Sequence, residues 1–90
     1  MQHTNIQLIK TRDVETKLSL SRVSIWSQVK KGLLPKPIMM GKNAAWNVWE
    51  LDQILIFRLA DRSRDEQKSL VEYIHTERDK AATVCLETIR

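Results

Sequence analysis

The stretch LSRVSIWSQVKKGLLPKPIMMGKNAAW, Leu20 to Trp46, decides the architecture. Ser21 is a good N-cap, because a serine hydroxyl accepts a hydrogen bond from a free first-turn N–H. Leu20, just before it, is spaced to pack on Ile25 as a hydrophobic staple. Ile25 and Val29 lie four apart and so share one helical face. Lys30 and Lys31 suit the negative end of the helix dipole, and Gly32 ends the helix. Pro35 and Pro37 then force an extended segment, since each lacks an amide donor and drives its predecessor out of the helical region. Ile38 to Met40 and Ala44 to Trp46 read as two strands. Gly41, Lys42 and Asn43 form the connection, where Gly and Asn tolerate positive φ.

Working outward, Thr11 is placed to cap a short helix that starts at Arg12 and ends near Lys17, with Val14 as its core contact. Leu18 to Leu20 is the turn. Ile6 to Lys10 reads either as a short strand or as a tether. On the other side, Asn47 caps a third helix, and Glu50 three residues on completes a capping-box pair. Leu51, Ile54, Leu55, the stem of Arg58 and Leu59 form its apolar stripe. Trp46 and Trp49 are assigned to the core. Ser63 and Glu66 repeat the capping pattern before a last helix that begins at about Arg64. Leu70, Ile74, Ala81, Cys85 and Ile89 keep a helical period along it. The expected fold class is mainly α with a small β-hairpin: a winged helix-turn-helix over residues 1–62 and a C-terminal helical extension over 63–90. That extension either packs back on the domain or pairs with its copy in a homodimer.

Ninety residues allow one domain and disfavour a deep enclosed active site. A single cysteine, Cys85, excludes an internal disulfide and fits a reducing cytoplasm. Met1 to Asn5 lacks the basic and apolar regions of a signal peptide. The longest apolar run, Ile54 to Phe57, is far too short to span a bilayer, so no membrane association is expected. His3 falls in a terminus expected to be mobile. Glu72 and His75 have a spacing used in carboxylate-bridged metal sites, but no second such motif accompanies them. No nucleophile–base set, phosphate-binding glycine loop or paired-cysteine motif is present, so neither enzyme activity nor a cofactor is expected. Net charge is +4, and its placement matters more than its size. Through Lys42 there are eight basic and two acidic residues, a net +6; the remainder nets −2, with seven basic and nine acidic. Such asymmetry points to a polyanionic partner facing the N-terminal half.

Two short helices around a tight turn, the second rich in small polar and basic residues, match a motif whose second helix enters the DNA major groove. On the helical wheel Val23, Ser24, Ser27, Lys30 and Lys31 face away from Ile25 and Val29. Small serines allow close approach to bases, whereas the lysines suit phosphate. The hairpin beside this helix forms a wing with Lys42 and Asn43 at its tip and Lys36 nearby. The two elements are expected to project from a common side. Trp26 is placed to rest its ring on the core and turn its indole N–H toward a phosphate.

These residues resemble the AlpA-type phage regulators. The resemblance rests on Leu20, Ser21, Arg22, Ile25, Lys30, Gly32, Pro35, Pro37, Gly41, Ala45 and Trp46, with TRDV at Thr11 to Val14 and NVWELDQIL from Asn47. It covers roughly Leu8 to Arg62. It implies a winged helix-turn-helix related to the MerR and excisionase domains, with Arg22, Ser24, Trp26, Ser27 and Lys30 at DNA and the Lys42–Asn43 tip as wing. Ser27 stands where the family often has Arg, Asn43 where the wing is often basic, Ser19 where a turn Gly is frequent, and Trp26 where Tyr is usual. The implied function is sequence-specific binding of double-stranded DNA by a prophage or mobile-element regulator, acting with RNA polymerase. An excisionase working with an integrase would use the same chemistry. The rival of another class is a protein-interaction module that uses the C-terminal helix.

Overall fold

The computed structural model describes residues 6–89. The signal-peptide reading and His3 fall in the first five residues, outside those described. The chain enters through β1 (Leu8–Lys10) and passes directly into α1 (Thr11–Leu18). Thr11 is therefore not the cap. Lys10 holds that position in extended conformation, without a side-chain capping bond, because it is also the last residue of β1. At the other end Ser19 adopts a left-handed conformation, φ 54°, and Leu20 N–H donates to the Glu15 carbonyl at 3.2 Å. This is the closing geometry that glycine adopts without steric cost. A non-glycine residue there costs about 1–2 kcal/mol, and glycine's extra unfolded-state freedom returns about 0.5–1. Ser19→Gly is therefore expected to raise stability by about 0.5–1 kcal/mol, read as a higher urea midpoint at unchanged slope. A lower midpoint would contradict the strain argument.

Helix α2 (Arg22–Lys30) begins as its sequence dictates. The Ser21 hydroxyl accepts from Ser24 N–H at 3.2 Å. Gly32, φ 79°, ends it, with Gly32 N–H donating to Val29 O and Leu33 N–H to Gln28 O. After the proline segment come β2 (Ile38–Met40) and β3 (Asn43–Asn47). The sheet has three strands rather than a lone hairpin: β1 pairs antiparallel with β3 on the edge opposite β2. Met40 pairs with Asn43, so the tip is Gly41–Lys42 alone and Asn43 already belongs to β3. Only the first tip residue has positive φ (Gly41, 68°), the pattern of a II′ turn, whose twist matches that of the strands.

In α3 (Val48–Leu59), Asn47 Oδ1 accepts from Trp49 N–H at 3.2 Å, as a cap should. Glu50 does not complete a capping box. It is buried, and its carboxylate is held by Arg78 of α4 (Arg64–Ile89). A true reciprocal box forms at Ser63 and Glu66: Glu66 N–H donates to Ser63 Oγ, and Ser63 N–H to Glu66 Oε1.

Trp46 is fully buried in a single core with Val14, Leu18, Ile25, Leu34, Leu51, Ile54, Val71 and Ile74. Trp49 is half-buried and lies outside that cluster, and Leu59 is exposed. Helix α4 supplies Val71 and Ile74, but Ala81, Cys85 and Ile89 are exposed, so the apolar period outlasts the packing. The reason is length. Twenty-six residues at 1.5 Å each give about 39 Å, nearly the full 42 Å long axis of the molecule. Its partner α3 has 12 residues, about 18 Å.

Candidate nucleic-acid interface

Burial of Ile25 turns the other side of α2 outward. Val23 (79% exposed), Lys30 and Lys31 lie fully on that side, with Ser24 and Ser27 half-buried beside them. Ser21 and Ser24 hydroxyls bond each other at 3.0 Å, so both take part in the cap. Trp26 is divided between two environments. Its ring meets buried Trp46 edge-on, with centroids 5.7 Å apart and planes at 60°, while 41% of the residue remains exposed. The core thereby fixes an aromatic surface at the edge of the outward face.

That edge opens into a cleft of about 400 Å3. Arg22 and Trp26 line it from α2, and Met39, Lys42, Asn43 and Ala44 from the hairpin. Lys10, Thr11 and Arg12 close it from the β1–α1 junction. Helix α2 and the hairpin thus face one space. Among the described residues four cations line it and no acid does. Among the described residues none of the four is ion-paired. Their charges sum outward, so the cleft carries a positive field suited to a polyanion.

Lys10, Thr11, Arg12, Met39 and Ala44 were not singled out by the sequence. The signal for the first three was the option of a strand before Thr11: pairing of β1 with β3 carries the β1–α1 junction to the hairpin. Of the expected site residues Arg22, Trp26, Lys42 and Asn43 line this cleft. Ser21 caps α2 and Ser24, Ser27 and Lys30 belong to it without lining the cleft, and Lys31 and Lys36 have other surroundings. Lys31 borders a different cleft at the far end of α2. Lys36 is exposed, but its backbone is clamped by α4: its N–H donates to His75 Nε2 at 3.0 Å and its carbonyl accepts from Arg78 Nη1 at 2.9 Å.

His75 Nε2 therefore serves as a hydrogen-bond acceptor. Burial lowers its pKa, and the charges of Arg78 and Lys36 lower it further against the opposing pull of Glu50 and Asp79. Protonation of Nε2 would also destroy the bond from Lys36. A folded-state pKa below the ordinary value of about 6.5 means the unfolded chain binds the proton more readily. The His75 contribution is then complete above about pH 6.5 and is lost as pH falls through the folded-state value. His75→Gln, which keeps an acceptor, is expected to flatten the stability loss that sets in as pH falls below about 6.5. An unchanged pH profile in that variant would count against His75 as the titrating group.

Residues 7–59 match the family model described as prophage CP4-57 regulatory protein (AlpA), more than half of the chain. The chain belongs to the AlpA family. No curated protein and no solved structure matches it. The AlpA match begins beside β1 and ends at Leu59, the last residue of α3. It therefore contains every described residue that lines the cationic cleft. Helix α4 lies beyond the AlpA region although Val71 and Ile74 share its core. The family is one of prophage regulatory proteins, and the fold is a winged helix-turn-helix with an added C-terminal helix. Among the described residues no helix is long and apolar enough to cross a membrane.

Proposed function

We propose that this AlpA-family chain binds double-stranded DNA sequence-specifically and regulates transcription on a prophage or mobile element. The observation that carries the reading is the acid-free cationic cleft joining the exposed face of α2 to the hairpin tip. An α-helix is about 10–12 Å across with its side chains, which suits a major groove about 12 Å wide. In this arrangement Val23 is set to touch a thymine methyl, and Ser24 and Ser27 to meet base edges, while Arg22 faces a phosphate from the cleft beside them. Lys30, Lys10 and Arg12 neutralise phosphates, and Trp26 N–H adds a neutral donor to the backbone. Lys42 and Asn43 follow the strand into the adjoining groove. The exposed tail, with Val84, Leu86 and Ile89, offers a DNA-bound molecule an apolar surface for a second protein, be it another copy, an integrase or RNA polymerase.

The test is duplex binding by fluorescence anisotropy across a salt series. Five phosphate contacts, from Lys10, Arg12, Arg22, Lys30 and Lys42, give a slope of log affinity against log salt of roughly −4 to −5. A slope near zero would contradict this function.

A further inference from the structure

A second cleft, of about 250 Å3, lies at the other end of α2. Its lining is Gln28, Lys31 and Leu33 from α2 and the turn after it, Arg58 from the end of α3, and Arg64 and Gln67 from the start of α4. Among the described residues that line it three are cationic, two are amides and none is acidic. The nearest acids in sequence are otherwise disposed: Glu66 is engaged by Ser63 and Arg62, and neither Asp61 nor Asp65 lines the cleft.

The geometry points to this cleft as a second oxyanion site, one that takes a tetrahedral phosphate group. Arg58 is its centre. One of its terminal nitrogens, Nη2, donates to Gln28 Oε1 at 2.6 Å and to the Leu33 carbonyl at 3.2 Å, which fixes the guanidinium plane. Its Nε is buried without an acceptor, and no carboxylate balances its charge among the described residues. Burial lowers the Arg58 pKa, as expected for a cation that has given up water without gaining a counter-charge. Lys31 and Arg64 also line the cleft, both exposed and, among the described residues, neither ion-paired. A phosphate placed between them supplies the missing negative charge, and guanidinium forks suit its oxygens.

Two sources carry that group: a DNA strand and free phosphate. At 100° per residue, Arg22 and Trp26 fall on one side of the outward line Val23, Ser27 and Lys30, and Gln28 and Lys31 fall on the other. A helix seated in a major groove has one strand on each side, so the second cleft can meet the strand that the first does not. That arm rests on the proposed function; the free-phosphate arm does not.

The experiment is a titration of the full chain with inorganic phosphate, followed by NMR at Arg58 Nε–H and the Gln28 and Gln67 side-chain amides. Saturable shifts are expected that chloride at equal ionic strength does not produce, and Lys31→Gln with Arg64→Gln should weaken them at least tenfold. Equal shifts with chloride, or no weakening in the double variant, would overturn the site. If duplex DNA moves the same resonances and the double variant reduces the salt slope by about 1, the ligand is a strand phosphate. If duplex binds and leaves them unmoved, the ligand is a free oxyanion. Failure of any duplex to bind overturns the proposed function and leaves the phosphate result standing.

Discussion

Replacing Arg78 with Met should remove about 3 kcal/mol of stability, measured as a fall in the urea midpoint. The guanidinium grips Glu50 through two nitrogens: Nε donates to Oε2 at 2.8 Å, and Nη2 donates to Oε1. Its third nitrogen, Nη1, holds the Lys36 carbonyl. Removing one partner of a buried ion pair costs about 3–5 kcal/mol, because the other charge stays buried without compensation. The lower end applies here: the Glu50 side chain is 7% exposed, but that of Arg78 is 26% exposed, so water screens part of the pair. A 90-residue domain is stable by only about 5–13 kcal/mol, so the loss is a large fraction of the total. Replacing both partners, Glu50→Met with Arg78→Leu, should restore most of it, since an apolar pair buries no charge. A loss below about 1 kcal/mol for the single variant would show the pair to be screened by solvent. The consequence for the fold is direct: this pair, with Val71 and Ile74, ties α4 to the winged unit.

Neutralising Lys10, Arg12, Arg22 and Lys42 together, each to Gln, should weaken duplex binding about 1,000-fold. Proteins with roughly 6–10 phosphate contacts bind non-specifically at about 10⁻⁴–10⁻⁶ M, close to 1 kcal/mol per contact. Four contacts are then worth about 4 kcal/mol, or three factors of ten. The salt slope should fall in parallel by roughly 3–4. None of the four side chains is ion-paired among the described residues, so urea stability should change little. A loss below tenfold at unchanged stability would place the DNA elsewhere.

What the sequence made legible was local. Ser21, Gly32 and the two prolines each act within a few residues, and α2, its ends and the extended segment follow from them. Long-range pairing was not legible. Nothing near Leu8 states that it will lie against Asn47, so the third strand remained an alternative and Lys10 and Arg12 were not placed at the cleft. Glu50 was misread because one side chain suits two roles, and its partner lies 28 residues away. Lys31 faces outward on a wheel, but a wheel does not show that the α3–α4 corner rises beside it. In α4 the apolar period runs on to Ile89 because periodicity marks a face without saying what covers it.

Photocrosslinking decides whether α2 and the hairpin tip meet one duplex from the same side. A photoreactive residue is placed singly at Val23, at Lys42 and at Leu86, all exposed, in the full chain bound to DNA. Crosslinks to the duplex are expected from Val23 and from Lys42, and none from Leu86. Crosslinks from Leu86, with none from Val23 or Lys42, would contradict that geometry.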